Sequence, residues 1–204
     1  MQIAILLYDG LTALDAIGPY EVLQRLPDSE TITVGEHTGI VRTDTKRLGL
    51  AIDATLDDIP HPDIVVVPGG PGNVDHTTDG PVQQWLRTID ATTTWTTSVC
   101  TGSLILAAAG LLTGRRATTY WSAIDKLADH GAIPTRERVV IDGKYVTGAG
   151  VSAGIDMALT LAAHIAGDTI AQRIQLGIEY DPQPPFNSGS PTTAPPEVLE
   201  LIRR

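Results

Sequence analysis

Residues 95–109 read Trp95-Thr-Thr-Ser-Val-Cys100-Thr-Gly-Ser-Leu-Ile-Leu-Ala-Ala-Ala109. The first part is rich in β-branched residues and predicts a strand that ends at Cys100. The second part begins with small residues, continues with apolar ones, and predicts a helix that starts immediately after the strand. A chain that passes directly from a strand into a helix is typical of α/β folds, in which helices cover a parallel sheet.

The segments on either side repeat this alternation of strand and helix. The continuous apolar run at residues 3–7 predicts a strand that is buried on both faces, and Asp63-Ile-Val-Val-Val-Pro68 predicts the strongest strand of the chain. A mostly parallel, doubly wound sheet with helices on both faces is therefore expected, in a single domain of residues 1–204. We expect helices at residues 19–26, 81–89, 102–109, 123–130, 153–166 and 169–177, a hairpin at Asp142-Gly143, and an extended proline-rich tail at residues 181–204.

Composition excludes several classes of function. The chain has 204 residues and a formal net charge of −10, which argues against nucleic acid or an anionic membrane as a partner. Its one cysteine cannot form an intramolecular disulfide and is consistent with a reducing compartment. No apolar run reaches the length of a membrane span, and the first residues lack the pattern of a signal peptide. We expect a cytoplasmic protein.

Cys100 itself has two interpretations. At a corner between a strand and a helix, backbone N–H groups are unpaired and the helix dipole is positive. Both effects favour the thiolate, which is the nucleophilic form of cysteine. The corner therefore predicts a nucleophile held as in the nucleophile elbow, with sulfur in place of oxygen. The alternative is an inert, buried thiol that fills the core.

The glycine loop Gly69-Gly70-Pro-Gly72 is expected at the same edge of the sheet, because the carboxyl ends of parallel strands lie together there. Paired glycines allow a backbone to approach a neighbouring site closely. We predict that the Gly70 N–H joins the Thr101 N–H in holding negative charge beside the sulfur. The alternative is a simple tight turn, and the loop lacks the pattern of a nucleotide-binding motif.

Asp15 is the candidate acid. Proline prefers the first helical position, so Pro19 predicts a helix that begins there with Gly18 as its cap. Asp15 would then lie in the preceding loop and point at the ligand edge of the sheet. Beside a thiol in an apolar pocket its carboxyl would have a raised pKa and act as a general acid. The alternative is a helix N-cap.

A histidine partner and a metal are not indicated. Residue 101 is threonine, and none of the five histidines lies near Cys100 in sequence; His76, after the glycine loop, is the one kept as a candidate. The histidines and the cysteine lack the spacing of metal ligands, so no metal is expected.

A substrate pocket is expected beside the cysteine. Tyr120 and Trp121 are candidates for its apolar wall, with Gly150 and Val151 next to them. Ordinary core packing is the alternative for Trp121.

These motifs resemble the ThiJ/PfpI superfamily. Pro68-Gly-Gly-Pro-Gly72 and Ser98-Val-Cys-Thr-Gly-Ser103 carry the likeness to its members, which have a flavodoxin-like three-layer sandwich and a reactive cysteine at the elbow. Threonine after the cysteine, together with aspartate at position 15, is similar to the isocyanide hydratase family. Further matching segments run almost end to end, at residues 14–19, 98–119, 131–134, 137–140, 153–159, 171–173, 175–176, 179–180 and 184–191.

The resemblance implies the hydration of an isocyanide to an N-substituted formamide without a cofactor. Cys100 would attack the terminal carbon to give a thioimidate, Asp15 would exchange protons, and Thr101 and Gly70 would donate hydrogen bonds. The resemblance also implies a homodimer. Tyr120 stands where relatives often have histidine, which leaves the size of the substrate open.

Two other functions share these motifs. The same domain forms the amino-terminal half of AraC-type regulators, where it senses ligands or dimerises; here no helix-turn-helix segment follows, and the acidic charge disfavours DNA. Glyoxalase-like or deglycase-like enzymes use the same cysteine, but most carry glutamate where Asp15 falls.

Overall fold

The computed structural model describes residues 1–202. Its elements in chain order are β1 (Gln2–Leu6), α1 (Ala13–Leu23), β2 (Glu30–Gly35), β3 (Gly39–Arg42), β4 (Gly49–Ile52), β5 (Ala54–Thr55), β6 (Ile64–Val67), α2 (Pro81–Asp90), β7 (Trp95–Val99), α3 (Gly102–Ala108), β8 (Arg116–Ala117), α4 (Lys126–Asp129), β9 (Ile133–Pro134), β10 (Val139–Asp142), β11 (Tyr145–Gly148), α5 (Ala153–Ala166), α6 (Asp168–Gly177) and α7 (Pro196–Ile202). Short 3₁₀ helices span Pro71–His76 and Trp121–Ala123.

Seven of the strands form one central sheet in the order β10-β11-β7-β6-β1-β2-β5. Its neighbouring strands are parallel except β10 and β11, which form the antiparallel hairpin expected at Asp142-Gly143. Helices surround the sheet, so the predicted mostly parallel, flavodoxin-like α/β fold is confirmed. Two smaller ladders pair β3 with β4 and β8 with β9.

The middle strands are continuous apolar runs because both of their faces are covered. Every residue of β6 is fully buried, and residues 3–6 of β1 expose at most 1 % of their surface. Because β1, β6 and β7 are parallel neighbours, the loops that leave their carboxyl ends meet at one edge. The loop after β11 reaches the same edge, since Gly148 lies opposite Val99 in the ladder.

The first helix begins earlier than predicted. It starts at Ala13, places Asp15 in its first turn and contains Pro19 in its interior, so the expected start at Pro19 with a Gly18 cap is wrong. Packing against α5 explains the difference, because a Cβ on Gly154 would lie 3.3 Å from the Pro19 ring. Tertiary contact thus holds the helix together although proline lacks the N–H of a normal helical residue.

Two other expected segments also differ. In place of one helix over residues 123–130, a 3₁₀ turn precedes α4, which spans only Lys126–Asp129. In the tail, residues 181–195 contain no helix or strand, as expected, but Pro196–Ile202 forms α7, so the prediction of an extended tail is wrong there. Proline suits the first position of a helix, where no N–H is required. Residues 203–204 of the predicted tail lie outside the described residues.

None of the helices within residues 1–202 is long and apolar enough to cross a membrane.

Glycines bring the backbone segments at the ligand edge into direct contact. A Cβ on Gly69 would lie 2.4 Å from the Thr101 nitrogen, and a Cβ on Gly102 would lie 2.0 Å from the Val67 carbonyl oxygen. Neither position can hold a larger residue unless the backbone moves. The close approach predicted for the glycine loop is confirmed, and it sets α3 directly against the end of β6.

We expect Gly102→Ala to lower the free energy of unfolding by about 3 kcal/mol, because the added methyl overpacks a filled backbone contact. Urea unfolding followed by circular dichroism measures the change. Gly177→Ala in α6 is the matched control, since no atom lies within 4 Å of its Cβ position. The control should be unchanged or slightly more stable. A Gly102→Ala protein as stable as the parent would contradict the contact between β6 and α3.

Candidate active site

Cys100 occupies a strained corner between β7 and α3. Its φ of +56° lies in the left-handed region, which a residue with a side chain rarely adopts. The Cys100 N–H donates to the carbonyl oxygens of Gly148 at 3.1 Å and Ala149 at 2.8 Å. The Cys100 carbonyl accepts from the hydroxyls of Thr119 at 2.8 Å and Ser103 at 3.2 Å. These bonds hold the corner in the conformation that aims the sulfur at its neighbours.

Asp15 faces this thiol from the first turn of α1. Its side chain is completely buried, and it lies close enough to Cys100 for each group to influence the pKa of the other. The Asp15 Oδ2 accepts from the Gly69 N–H at 3.0 Å, whereas Oδ1 has no hydrogen-bond partner. Burial raises the pKa of this carboxyl from 3.8 to about 7, against the opposing effect of the Gly69 bond. Asp15 can therefore hold or release a proton near neutral pH.

The thiol is not the low-pKa group that the corner predicts. Burial raises the pKa of Cys100, and the negative charge of Asp15 raises it further. The backbone N–H groups of Val151 and Thr101 favour the thiolate but do not reverse this direction. Cys100 and Asp15 thus form a buried pair that retains a proton near neutral pH.

Thr101 and Gly70 bind one another beside the pair. The Gly70 N–H donates to the Thr101 hydroxyl at 2.9 Å, and that hydroxyl lies 3.3 Å from the Gly70 carbonyl oxygen. The N–H predicted to hold negative charge at the sulfur is thus already engaged. The backbone donor that the sequence did not indicate is Val151, whose φ of +27° is also in the left-handed region.

A cavity of about 570 Å³, called the thiol pocket below, adjoins the cysteine corner through Thr119, Ala149 and Val151, whereas Cys100 and Asp15 do not line it themselves. The four predicted pocket residues line it: Tyr120, Trp121, Gly150 and Val151. The two aromatic rings lie 5.6 Å apart, and a Cβ on Gly150 would meet the Tyr120 ring at 2.8 Å. Residues that the sequence did not indicate complete the lining, and they are Thr118, Thr119, Ile124, Arg136, Glu137, Arg138, Ala149, Ser152 and the tail residues Gly189, Ser190, Pro191 and Thr192.

Tyr8 is a further site residue that sequence reasoning missed. It is buried at the end of β1, and its hydroxyl donates to the Pro68 carbonyl oxygen at 2.8 Å. Burial raises its pKa, and the charges of Asp15 and Cys100 add to the effect. His76 packs edge-on against Tyr8, with the two ring centroids 4.7 Å apart. Its Nδ1 lies 3.8 Å from Glu36 Oε1. The sequence indicates Tyr8 through its position just after the buried strand β1, because ligands bind at the carboxyl ends of parallel strands.

Within residues 1–202, no three histidine, cysteine or acidic side chains come together in an arrangement that could hold a metal ion.

We expect Asp15→Asn to be more stable than the parent above about pH 7. Because the pKa of Asp15 is raised in the folded protein, ionisation favours the unfolded chain, so stability is lost as the pH rises from 3.8 to about 7. This difference in pKa corresponds to about 4 kcal/mol in the free energy of unfolding. The stability advantage of Asp15→Asn over the parent should approach zero at about pH 4. Urea unfolding across this range measures it, with the exposed Asp79→Asn as control. A variant less stable than the parent at about pH 8 would contradict the buried, partly unpartnered carboxylate.

The same variant should make the thiol more acidic. Without the Asp15 charge, we expect the pKa of Cys100 to fall below its value in the parent protein. The pH dependence of alkylation by iodoacetamide, followed by intact-protein mass, reports it directly because the chain has one cysteine. Asp79→Asn should leave the profile unchanged. An unaltered profile in Asp15→Asn would mean that the two side chains do not interact.

Comparison with known proteins gives relatives over the whole chain. Isonitrile hydratase from Pseudomonas putida is 46% identical over 204 residues, which are all of this chain and 89% of that protein. The crystal structure of a ThiJ/PfpI family protein from Pseudomonas syringae superposes with a TM-score of 0.95 at 40% identity, covering 98% of this chain and 84% of that one. The HTH-type transcriptional regulator CdhR from Pseudomonas aeruginosa is 37% identical over 126 residues, or 60% of this chain and 37% of that protein.

The model of the DJ-1/PfpI family matches residues 1–164. This segment contains Asp15, the glycine loop, the Cys100 corner and α5 through His164. The chain is a member of the DJ-1/PfpI family.

Proposed function

We propose that the protein hydrates isocyanides, converting R–NC and water to the formamide R–NH–CHO through a thioimidate on Cys100. The observation that carries the proposal is the buried Cys100–Asp15 pair beside a pocket. Full-length similarity to an isonitrile hydratase supports the same chemistry.

The first step requires one proton, which the pair holds. The terminal carbon of an isocyanide can accept both a nucleophile and a proton. Asp15 takes the thiol proton as the sulfur attacks this carbon, and it then delivers that proton to the same carbon. A C–S and a C–H bond form, and the product is Cys100–S–CH=N–R. Because the proton passes through Asp15, the thiol needs no low pKa of its own and no histidine.

Water completes the reaction. The ionised Asp15 accepts a proton from water as the water oxygen attacks the thioimidate carbon, and this proton passes to the nitrogen. The tetrahedral intermediate Cys100–S–CH(OH)–NH–R then collapses as the C–S bond breaks. The hydroxyl proton returns through Asp15 to the sulfur, which releases R–NH–CHO and restores the thiol. The balance of this hydration requires no electron carrier.

The surrounding backbone supports both steps. The N–H groups of Val151 and Thr101 favour negative charge on the sulfur, which develops when the thiol attacks and when it leaves. Thr101 in turn is held by the Gly70 amide. In this proposal Gly70 positions Thr101 rather than donating to the substrate.

We expect the parent protein to form a formamide from an aryl or alkyl isocyanide, and Cys100→Ala to lose at least about 10³-fold in kcat/KM. Asp15→Asn should lose about 10² to 10⁴-fold, as removal of a general acid–base group does. Asp79→Asn, on the surface of the protein, is the matched control for the loss of a carboxylate. Formamide production is followed by mass spectrometry, and a covalent adduct on Cys100 should add the whole mass of the isocyanide.

Absence of formamide from folded parent protein across several isocyanides would refute the proposal. Consumption of methylglyoxal instead would indicate a glyoxalase-like enzyme. Binding without turnover would indicate a ligand-sensing module, the alternative that similarity to part of a transcriptional regulator favours. Homodimerisation and a cytoplasmic location stay predictions, which sedimentation and cell fractionation can test.

A further inference from the structure

We propose that the thiol pocket selects isocyanides whose far end carries a carboxylate, separated from the reacting carbon by an apolar, planar group. The isocyanide group of this substrate rests on the proposed hydratase function. Its carboxylate is inferred from the two arginines in the pocket lining of an otherwise acidic protein.

The lining of the thiol pocket is positively charged in an acidic protein. It contains two arginines, Arg136 and Arg138, and one acidic residue, Glu137, whereas the whole chain has a net charge of −10. Two other cavities, beside α2 and between β1 and β3, are lined by acidic residues and no lysine or arginine. The pocket next to the nucleophile is therefore the one of these that favours an anion.

Arg136 is available to a ligand. It pairs with Asp125 at 3.2 Å, but the side chains of Arg136 and Asp125 are 66% and 90% exposed. Such an exposed pair contributes little, because water screens it. A carboxylate in the pocket can offer the guanidinium a two-point hydrogen bond in its place.

Arg138 also lines the pocket, where an ion pair with Asp156 holds its guanidinium in place. Its Nε lies 2.5 Å from Asp156 Oδ2, and its Nη2 donates to the Ser152 hydroxyl at 3.3 Å. The Tyr180 hydroxyl also binds Asp156, at 3.2 Å. These contacts use Nε and Nη2 of Arg138. The Nη1 side of the guanidinium can therefore donate to an anion while Asp156 holds the side chain in place.

Part of the pocket lining is apolar and suits a ring. Tyr120, Trp121 and Ile124 line it, and the two aromatic rings are tilted by 48° at 5.6 Å. A volume of about 570 Å³ is that of a site for a drug-sized molecule, and a small alkyl isocyanide would leave most of it empty. An aryl group between the isocyanide and the carboxylate fills this space.

The test compares 4-isocyanobenzoate with its neutral methyl ester. We expect kcat/KM to be about tenfold higher for the carboxylate, mainly through KM, which corresponds to one charge-assisted contact. Arg136→Gln should abolish most of this preference, and Arg136→Glu should invert it. Arg87→Gln removes an arginine that pairs with Asp79 outside the pocket, and it should leave the preference unchanged.

Binding of the products separates this inference from the hydratase proposal. Calorimetry with 4-formamidobenzoate and its methyl ester needs no turnover, and the acid should bind about tenfold more tightly. If the acid binds no more tightly than the ester, the anion subsite is wrong even when both isocyanides are hydrated. If Arg136→Glu removes a real binding preference while neither isocyanide reacts, the subsite is supported and the hydratase proposal is refuted.

Discussion

The conformation of Cys100 is the constraint on which the site depends. A residue with a side chain at φ +56° is strained, and such strain persists only where the surroundings fix the backbone from several sides. Here β11 and its following loop accept the Cys100 N–H, and Thr119 binds its carbonyl from a distant segment. Released from these bonds, the corner would relax and the sulfur would no longer face Asp15.

The second constraint is electrostatic, and it connects stability to chemistry. Asp15 is buried with one oxygen unpartnered, which disfavours its ionised form, and the thiol beside it is disfavoured as an anion for the same reason. Because the pKa of Asp15 is about 7 and the thiol stays protonated there, the ionised carboxylate can accept the thiol proton near neutral pH. Burial of this carboxyl lowers the stability of the fold wherever Asp15 is ionised.

Much of the fold and part of the site could be predicted from the sequence. The strands β1, β6 and β7 are predictable because apolar and β-branched residues follow one another in each of them. Such runs suit a strand that is covered on both faces. The start of α1 was not, because the preference of Pro19 for a first turn yields to the packing of α1 on α5. The protonation of Cys100 also differs from the expectation, because burial and the charge of Asp15 raise its pKa more than the neighbouring N–H groups lower it.

By itself, the sequence determined which reactive groups exist and at which edge of the sheet they lie. The alternation of strands and helices, and the places of the cysteine, the glycines and Asp15 within it, follow from local patterns, because backbone preference and hydrophobic period act over a few residues. Only the tertiary structure decided which groups meet: Asp15 binds Gly69 across 54 residues, and the tail reaches the thiol pocket from the far end of the chain. The pKa values of Asp15 and Cys100 and the charge of the pocket depend on residues that are distant in sequence. They are therefore set only when the chain is folded.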